Sequence, residues 1–565
     1  MDLPLKLALA RMANGISPAS VNMALADWWT HFAKSPSLQA ELAVDAVRKA
    51  ALFGQYLMQS WHGDGAPGVD AGPPDKRFAQ PGWERPPFNA MAQAFLLQAK
   101  WWDQATHGVR GVSEHHEDLV NFMTRQWLDV WSPSNFIATN PQVLRQTFIT
   151  GGMNLATGYA NWARDAVAVA SDGRPRGVED FLPGKAVALT PGKVVLRNRL
   201  IELIQYEPAT PRVGAQPVLV IPSWIMKYYI LDLTPQDSLA KYLVSQGHTV
   251  FMVSWKNPLG DDRDLGMEDY LELGPFAAVR EVQSRFPKQG IHAMGYCLGG
   301  TLLSIAAALY GAKPNNPLRT LTLLAAETDF KEPGQLGLFI DESQIAFLED
   351  LMSERGYLDG RQMAGAFALI NSKDLVWSKL VHEYLMGAQT PMTALRAWNA
   401  DATRLPARMH SEYLRSLYLH NDLAEGRFRV HGKAVTLADI KVPMFVVGTE
   451  WDHVSPWPSV YKVCRLVRAP VTFALTSRGH NVGIVNPPGS EGGNYYRIAA
   501  HAAGRSPADP QEWLKSATRH ESSWWPAWDG WLRNHTTAQL KATPVRGLVE
   551  GGSPVLAPGT YVHQR

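Results

Sequence analysis

Only two cysteines occur in the 565 residues, and one of them, Cys297, stands in a frame that would make it reactive. Gly295-Tyr296-Cys297-Leu298-Gly299-Gly300 joins the apolar run 291–295 to a good helix sequence at 301–309. Glycines two before and two after predict a nucleophile on a sharp strand-to-helix bend, where any Cβ would collide with a neighbouring element. Such a bend places the thiol at a helix amino terminus, whose macrodipole and unpaired N–H groups favour the thiolate. The chemistry implied is covalent attack on an acyl carbon. Cys464, within 461–467 and without a glycine frame, reads as a small buried hydrophobe.

A nucleophile of this kind needs an acid and then a histidine, in that chain order, each in a loop after a later strand. Asp452 follows the apolar run 442–448, and His480 follows the run 471–476. Asp452 would accept a hydrogen bond from His480 and fix its tautomer, leaving the other ring nitrogen for Cys297. Glu450 is the rival acid. His453 is the rival base, but it precedes the last strand and falls on the wrong loop. The oxyanion needs two backbone donors: the N–H after the nucleophile, Leu298, and one from the loop 221–228, assigned to Ile225 or a neighbour. Lys227 in that loop reads as a solvated surface lysine, with CoA phosphate binding as the alternative.

These residues require a scaffold that brings distant loops together. Short apolar runs at 194–196, 216–222, 248–254, 291–295, 318–325, 442–448 and 471–476 alternate with helical segments, the mark of a mainly parallel sheet buried on both faces. With the nucleophile bend, this predicts an α/β-hydrolase fold over 186–565. More than a hundred residues separate the fifth and sixth runs, too many for a loop. An inserted cap at about 330–435 is therefore expected over the carboxyl end of the sheet, where open α/β sheets bind ligands. The amino-terminal part, 1–185, reads as an all-helical domain. Ala24, Trp28 and Phe32, then Leu42, Val47, Leu52 and Tyr56, recur at roughly helical spacing. A Gly/Pro-rich loop is expected at 63–74, and a turn with a new helix cap near Trp131-Ser132-Pro133-Ser134.

A hydrophobic fraction of 46% with 19% charged residues supplies a large core, and a formal net charge of +2 offers no general attraction to nucleic acid. No cysteine framework for disulfides or a metal exists, which fits a reducing cytosol. The amino terminus lacks the apolar core of an export signal, and no apolar run is long enough to span a membrane. The 20 tryptophans, some paired as in Trp101-Trp102 and Trp524-Trp525, read first as core and second as a surface for an apolar polymer.

Over residues 75–535 the chain resembles the polyhydroxyalkanoate (poly-3-hydroxybutyrate) synthases, most like the class I type that acts alone on short 3-hydroxyacyl-CoA thioesters. The likeness rests on 295–301, on Lys227-Tyr228-Tyr229-Ile230-Leu231-Asp232-Leu233, on Val253-Ser254-Trp255-Lys256-Asn257-Pro258, on Lys373-Asp374-Leu375-Val376-Trp377 and on Trp398-Asn399-Ala400-Asp401-Ala402-Thr403. It continues through Asp452-His453-Val454-Ser455-Pro456-Trp457, Gly479-His480, Asn486-Pro487-Pro488 and Ser522-Ser523-Trp524-Trp525-Pro526. The family's catalytic cysteine, aspartate and histidine fall on Cys297, Asp452 and His480. This chain departs from the family pattern at Ser223 and Met226, where proline and asparagine are usual, and at Trp451, where glutamate is.

The resemblance implies an acyltransferase that polymerises 3-hydroxyacyl-CoA into polyester with release of CoA. No separate cofactor is implied, because CoA is part of the substrate and a product. It further implies a homodimer, and a cytoplasmic location at the surface of polymer granules. Two other readings of the same residues are a cysteine thioesterase or polyester hydrolase, and a catalytically silent granule coat protein.

Overall fold

The computed structural model describes residues 16–61, 75–171, 174–370, 372–489 and 493–565. The loop expected at 63–74 lies outside them. Two compact units emerge: one holds the described residues up to Arg176 together with Gly365–Pro391, the other Gly177–Ala364 and Met392–Arg565.

The first unit is helical, with α1 (Pro18–Ala33), α2 (Pro36–Trp61), α3 (Phe88–Thr106), α4 (Glu114–Val130), α5 (Pro141–Ile149) and α6 (Met153–Ser171). Local chemistry starts the helices: Ser17, Ser113 and Asn140 accept backbone N–H groups at the heads of α1, α4 and α5, satisfying donors that a helix leaves unpaired. Ala24 is buried, and Trp28 stacks on Phe32 with ring centroids 5.1 Å apart. Of the second helical series, Leu42 and Tyr56 are buried but Val47 faces solvent, because a step of five residues leaves the helix face. Asn154 and Asn161 on α6 donate to the carbonyls of Leu385 at 2.8 Å and Glu383 at 3.0 Å. These bonds tie the middle of the expected cap to this unit, a long-range pairing that no local pattern announces.

The second unit carries a ten-stranded sheet. Its strands are β1 (Gly192–Arg197), β2 (Ile201–Tyr206), β3 (Val218–Ile221), β4 (Val250–Trp255), β5 (Ile291–Tyr296), β6 (Leu318–Leu324), β7 (Met444–Thr449), β8 (Val471–Thr476), β9 (Tyr496–His501) and β10 (Thr518–His520). Their spatial order is β1-β2-β4-β3-β5-β6-β7-β8-β9-β10. The six central strands β4, β3, β5, β6, β7 and β8 are parallel, and antiparallel strands close both edges. Every residue of β3, β4, β5 and β7 is buried, as continuous apolar strands covered on both faces must be. Register aligns Ile221 with Gly295, Tyr296 with Leu324 and Thr449 with Thr476. The carboxyl ends of β3, β5, β6, β7 and β8 therefore finish at one edge, and their loops meet there.

Helices α7 (Leu239–Ser245) and α8 (Ala277–Arg285) lie between β3, β4 and β5 along the chain, and α9 (Leu298–Gly311) follows β5. Beyond β6 come α10 (Glu342–Arg355) and α11 (Ala407–Tyr413), which belong to the expected cap and pack against each other and the core. The paired tryptophans of α12 (Trp525–Asn534) are core: Trp524, Trp525 and Trp528 are fully buried, and their indole N–H groups donate to Gly483 O, Ile484 O and Thr322 Oγ1 at 3.1, 2.9 and 3.0 Å.

Candidate active site

Cys297 sits between β5 and α9 with φ 52° and ψ −130°, a left-handed conformation costly for a residue with a Cβ, at about 1–3 kcal/mol. The surroundings enforce it. Its N–H donates to Leu324 O at 2.9 Å, and its carbonyl accepts the N–H groups of Gly300 at 2.8 Å and Thr301 at 3.3 Å. A Cβ at Gly295 would lie 2.4 Å from Gly300 Cα, and one at Gly299 would lie 2.2 Å from Ile221 O, so both positions exclude every other residue.

Asp452 lies in the loop after β7, and the backbone gives it its shape. Its Oδ1 accepts the N–H groups of Val454 at 2.9 Å and Ser455 at 2.8 Å. Its Oδ2 accepts Thr449 Oγ1–H at 2.6 Å and the Nδ1 side of His480 at 2.7 Å. Burial pushes this carboxyl up, but the histidine and the hydrogen bonds more than offset that and hold it below the usual carboxylate range. An ionised carboxylate only accepts, so His480 Nδ1 carries the proton and Nε2 is left for the ring's other side-chain partner, Cys297. Burial pulls His480 down, yet Asp452 and the Cys297 sulfur together raise it well above the ordinary histidine value. Two further bonds, Glu450 N–H to Thr476 O at 2.9 Å and Trp451 N–H to Arg478 O at 3.0 Å, stitch the aspartate loop to the histidine loop.

The rival groups are occupied elsewhere. Glu450 accepts the Tyr495 hydroxyl, and His453 is exposed in its loop. Cys464 is buried, which pushes its thiol up to about 12. Leu298 opens α9, whose first N–H groups have no partner within the helix. The Ile225 N–H points to Ser223 Oγ at 3.3 Å, and Ile225 O accepts Thr403 N–H at 2.9 Å. Met226 bridges to Ala402, so two of the sequence departures, Ser223 and Met226, lie in a loop pinned to the cap segment. Lys227 is a correction to the sequence reading: it is not solvated but buried, its Nζ donating to Gln564 O at 2.8 Å. A chain segment more than three hundred residues away covers it, which its neighbours in sequence do not signal.

Several residues of the site escaped the sequence reading. Tyr296 lays its ring 5.5 Å from that of His480 and donates to Asn481 Oδ1 at 2.6 Å, bracing the imidazole from behind the nucleophile. Trp224, Tyr413 and Tyr418 form an aromatic wall, with centroids 6.2 Å apart for Trp224 and Tyr413 and 5.3 Å for Tyr413 and Tyr418. Glu327, just past β6, is buried beside the triad, and burial first, then Asp452 and Cys297, push its carboxyl well above the usual range.

The chain as a whole is similar in sequence to known proteins. A family model described as poly-beta-hydroxybutyrate polymerase (PhaC) N-terminus matches residues 74–243, one described as poly-beta-hydroxybutyrate polymerase N terminal matches 1–37, and one described as alpha/beta hydrolase fold matches 216–487. A poly(3-hydroxyalkanoate) polymerase of Methylorubrum extorquens is 40% identical over 91% of this chain and 85% of its own. The chain belongs to the poly(3-hydroxyalkanoate) polymerase family. Polymerase subunits of Rhizobium etli, 37% identical over 87% of this chain and 77% of theirs, and of Cupriavidus necator, 35% identical over 86% and 83%, extend the match. In this polymerase the sheet, the bend at Cys297 and the loops after β7 and β8 make up an α/β-hydrolase fold with helices before it. Among the described residues no helix is long and apolar enough to cross a membrane.

Proposed function

We propose that this polymerase builds polyester from 3-hydroxyacyl-CoA through a covalent thioester on Cys297, with His480 moving the protons and Asp452 orienting His480. The observation that carries the reading is His480, shared between the Asp452 carboxylate and the Cys297 side chain at the carboxyl edge of the sheet. In the first step the sulfur attacks the thioester carbonyl, the bond to CoA breaks, and the departing CoA sulfur takes the His480 proton. One thioester replaces another, so the acyl group stays activated. In the second step the 3-hydroxyl of another unit attacks the Cys297 thioester, His480 takes the hydroxyl proton, an ester forms and the sulfur is released. Negative charge on the carbonyl oxygen faces the amino terminus of α9, where Leu298 N–H is one donor and Ile225 N–H, turned from Ser223, is the second. No cofactor enters these steps, since CoA arrives with the substrate and leaves as product.

Water reaching the same intermediate would make the enzyme a hydrolase, and the aromatic wall of buried Trp224 and Tyr413 with half-buried Tyr418 supports its exclusion. Purified protein given 3-hydroxybutyryl-CoA should release free CoA and deposit insoluble ester, with Cys297→Ala abolishing both. Release of CoA with soluble hydroxy acid alone would replace the reading by a hydrolase, and no thiol-dependent turnover by a coat protein.

Granule association in the cytoplasm and a homodimer extend the proposal. The helical unit supports the first with a run of exposed apolar side chains along α5 and α6, including Phe148 at 90%, Ile149 at 63% and Tyr159 at 68% exposure. Charged substitutions at these three positions should leave CoA release intact while weakening adsorption to polyester particles. Light scattering on the purified protein reads the dimer directly.

A further inference from the structure

Glu327 takes no part in the steps above, yet its backbone is bonded to the start of the helix that follows the nucleophile and its carboxyl is felt by Cys297. Just after β6 the backbone turns at Ala325, with φ 45°, and is stitched to the start of α9 at two points. Leu324 O accepts the Cys297 N–H at 2.9 Å, and Glu327 O accepts Thr301 Oγ1–H at 2.7 Å. The carboxyl that follows is only 3% exposed, and its Oε1 has no hydrogen-bond partner among the described residues. Its electrostatic neighbours are Cys297, Asp452 and His480 on the sheet side and Tyr413 and Tyr418 from the cap segment. Lys462 acts on it as well but is bonded to Glu332 at 2.7 Å.

A buried polar atom without a partner is rare and calls for an explanation. The acyl group on Cys297 carries two polar functions close to the sulfur. Its carbonyl oxygen belongs to the backbone donors at the head of α9. Its 3-hydroxyl, two carbons further out, needs a partner, and the neighbours that Glu327 and Cys297 share on the cap side are the aromatic residues Tyr413 and Tyr418. A neutral carboxyl can donate to that hydroxyl and accept from it, whereas a second carboxylate would repel the sulfur while it is ionised. Burial and the nearby negative groups favour the neutral form of Glu327.

We propose that Glu327 is a specificity-determining residue that hydrogen-bonds the 3-hydroxyl of the acyl unit on Cys297 and so selects 3-hydroxyacyl over unsubstituted acyl thioesters. This rests on the reading of Cys297 as the acylated group. Sites that hydrogen-bond a substrate hydroxyl discriminate strongly against the analogue lacking it, because the buried polar group is then left unpaired.

The test compares single-turnover CoA release from 3-hydroxybutyryl-CoA and from butyryl-CoA, in the parent, Glu327→Gln and Glu327→Leu, with thermal unfolding of each. The parent should prefer the hydroxylated substrate by at least tenfold. Glu327→Leu should lose most of that preference by slowing only the hydroxylated substrate, and Glu327→Gln, which keeps a donor and an acceptor, should retain most of it. Equal slowing on both substrates, or an unchanged ratio in Glu327→Leu, overturns the proposal. If Glu327→Leu does not fold, Glu327→Gln decides together with Glu327→Met: an unchanged ratio in Glu327→Met, or in the parent no preference at all, overturns it equally. CoA release that survives Cys297→Ala would instead remove the underlying reading, an outcome separate from the substrate ratio.

Discussion

Thr449 Oγ1 donates to Asp452 Oδ2 at 2.6 Å, the same oxygen that receives His480 Nδ1–H. The last residue of β7 thus sets the rotation of the carboxylate before the histidine reaches it. A hydrogen bond to an ionised group contributes about 1.5–3 kcal/mol, so Thr449→Val should slow CoA release roughly ten- to a hundredfold. The fold should be retained, since valine fills the same volume. An unchanged rate would mean that Val454 and Ser455 alone fix the carboxylate.

Asp452→Asn tests the tautomer. Asparagine can turn its NH2 toward Nδ1, which then becomes an acceptor and moves the proton to Nε2, facing the sulfur that has to give its proton up. Turnover should fall by about 10³-fold or more, as when the orienting acid of a catalytic triad is lost. Without the carboxylate, burial dominates and the His480 titration should move down, which NMR of labelled histidine reads. A His480 titration left where it was would show that Asp452 is not its principal partner.

Gly299→Ala probes the bend itself. The new Cβ would meet Ile221 O at 2.2 Å, a backbone atom held in the sheet, so relief has to come from moving α9. We expect a loss of about 3 kcal/mol in unfolding free energy and a larger loss of activity, because the helix begins at Leu298 directly after Cys297 and displaces both when it moves. A variant as stable and active as the parent would contradict the close packing of α9 on β3.

These expectations trace back to features of different legibility in sequence. The bend at Cys297, the acid loop and the histidine loop are local strings whose residue types are dictated by backbone geometry, and the buried strands announce themselves by unbroken apolar runs. β2, β9 and β10 do not: Ile201–Tyr206 is interrupted by Glu202 and Gln205, Tyr496–His501 carries Arg497 and two alanines, and Thr518–His520 has no apolar residue, so none has a buried strand's pattern. Glu202 is nonetheless buried, because Arg197 and Thr560 pair with it from elsewhere in the chain. Glu327 was missed for the same reason. A glutamate in a loop reads as solvated, and only the folded arrangement of β6, α9 and the cap segment shows what surrounds it.

His410, on α11, is buried in the cap segment with no hydrogen-bond partner on Nδ1 among the described residues. Burial pushes its pKa down to about 4, against 6.5 for an exposed histidine. The folded protein therefore keeps it neutral, while the unfolded chain takes up a proton as pH falls below 6.5. The stability at stake is fully present above pH 6.5 and is lost progressively toward pH 4, by about 2 kcal/mol at pH 5. His410→Leu removes the titrating group at similar volume. Denaturant unfolding of both proteins at pH 7.5 and pH 5 should show the parent losing that amount relative to the variant, with the other histidines cancelling in the difference. Parallel losses in the two proteins would mean that the imidazole is charged in the folded state and that a water or a shifted side chain reaches Nδ1.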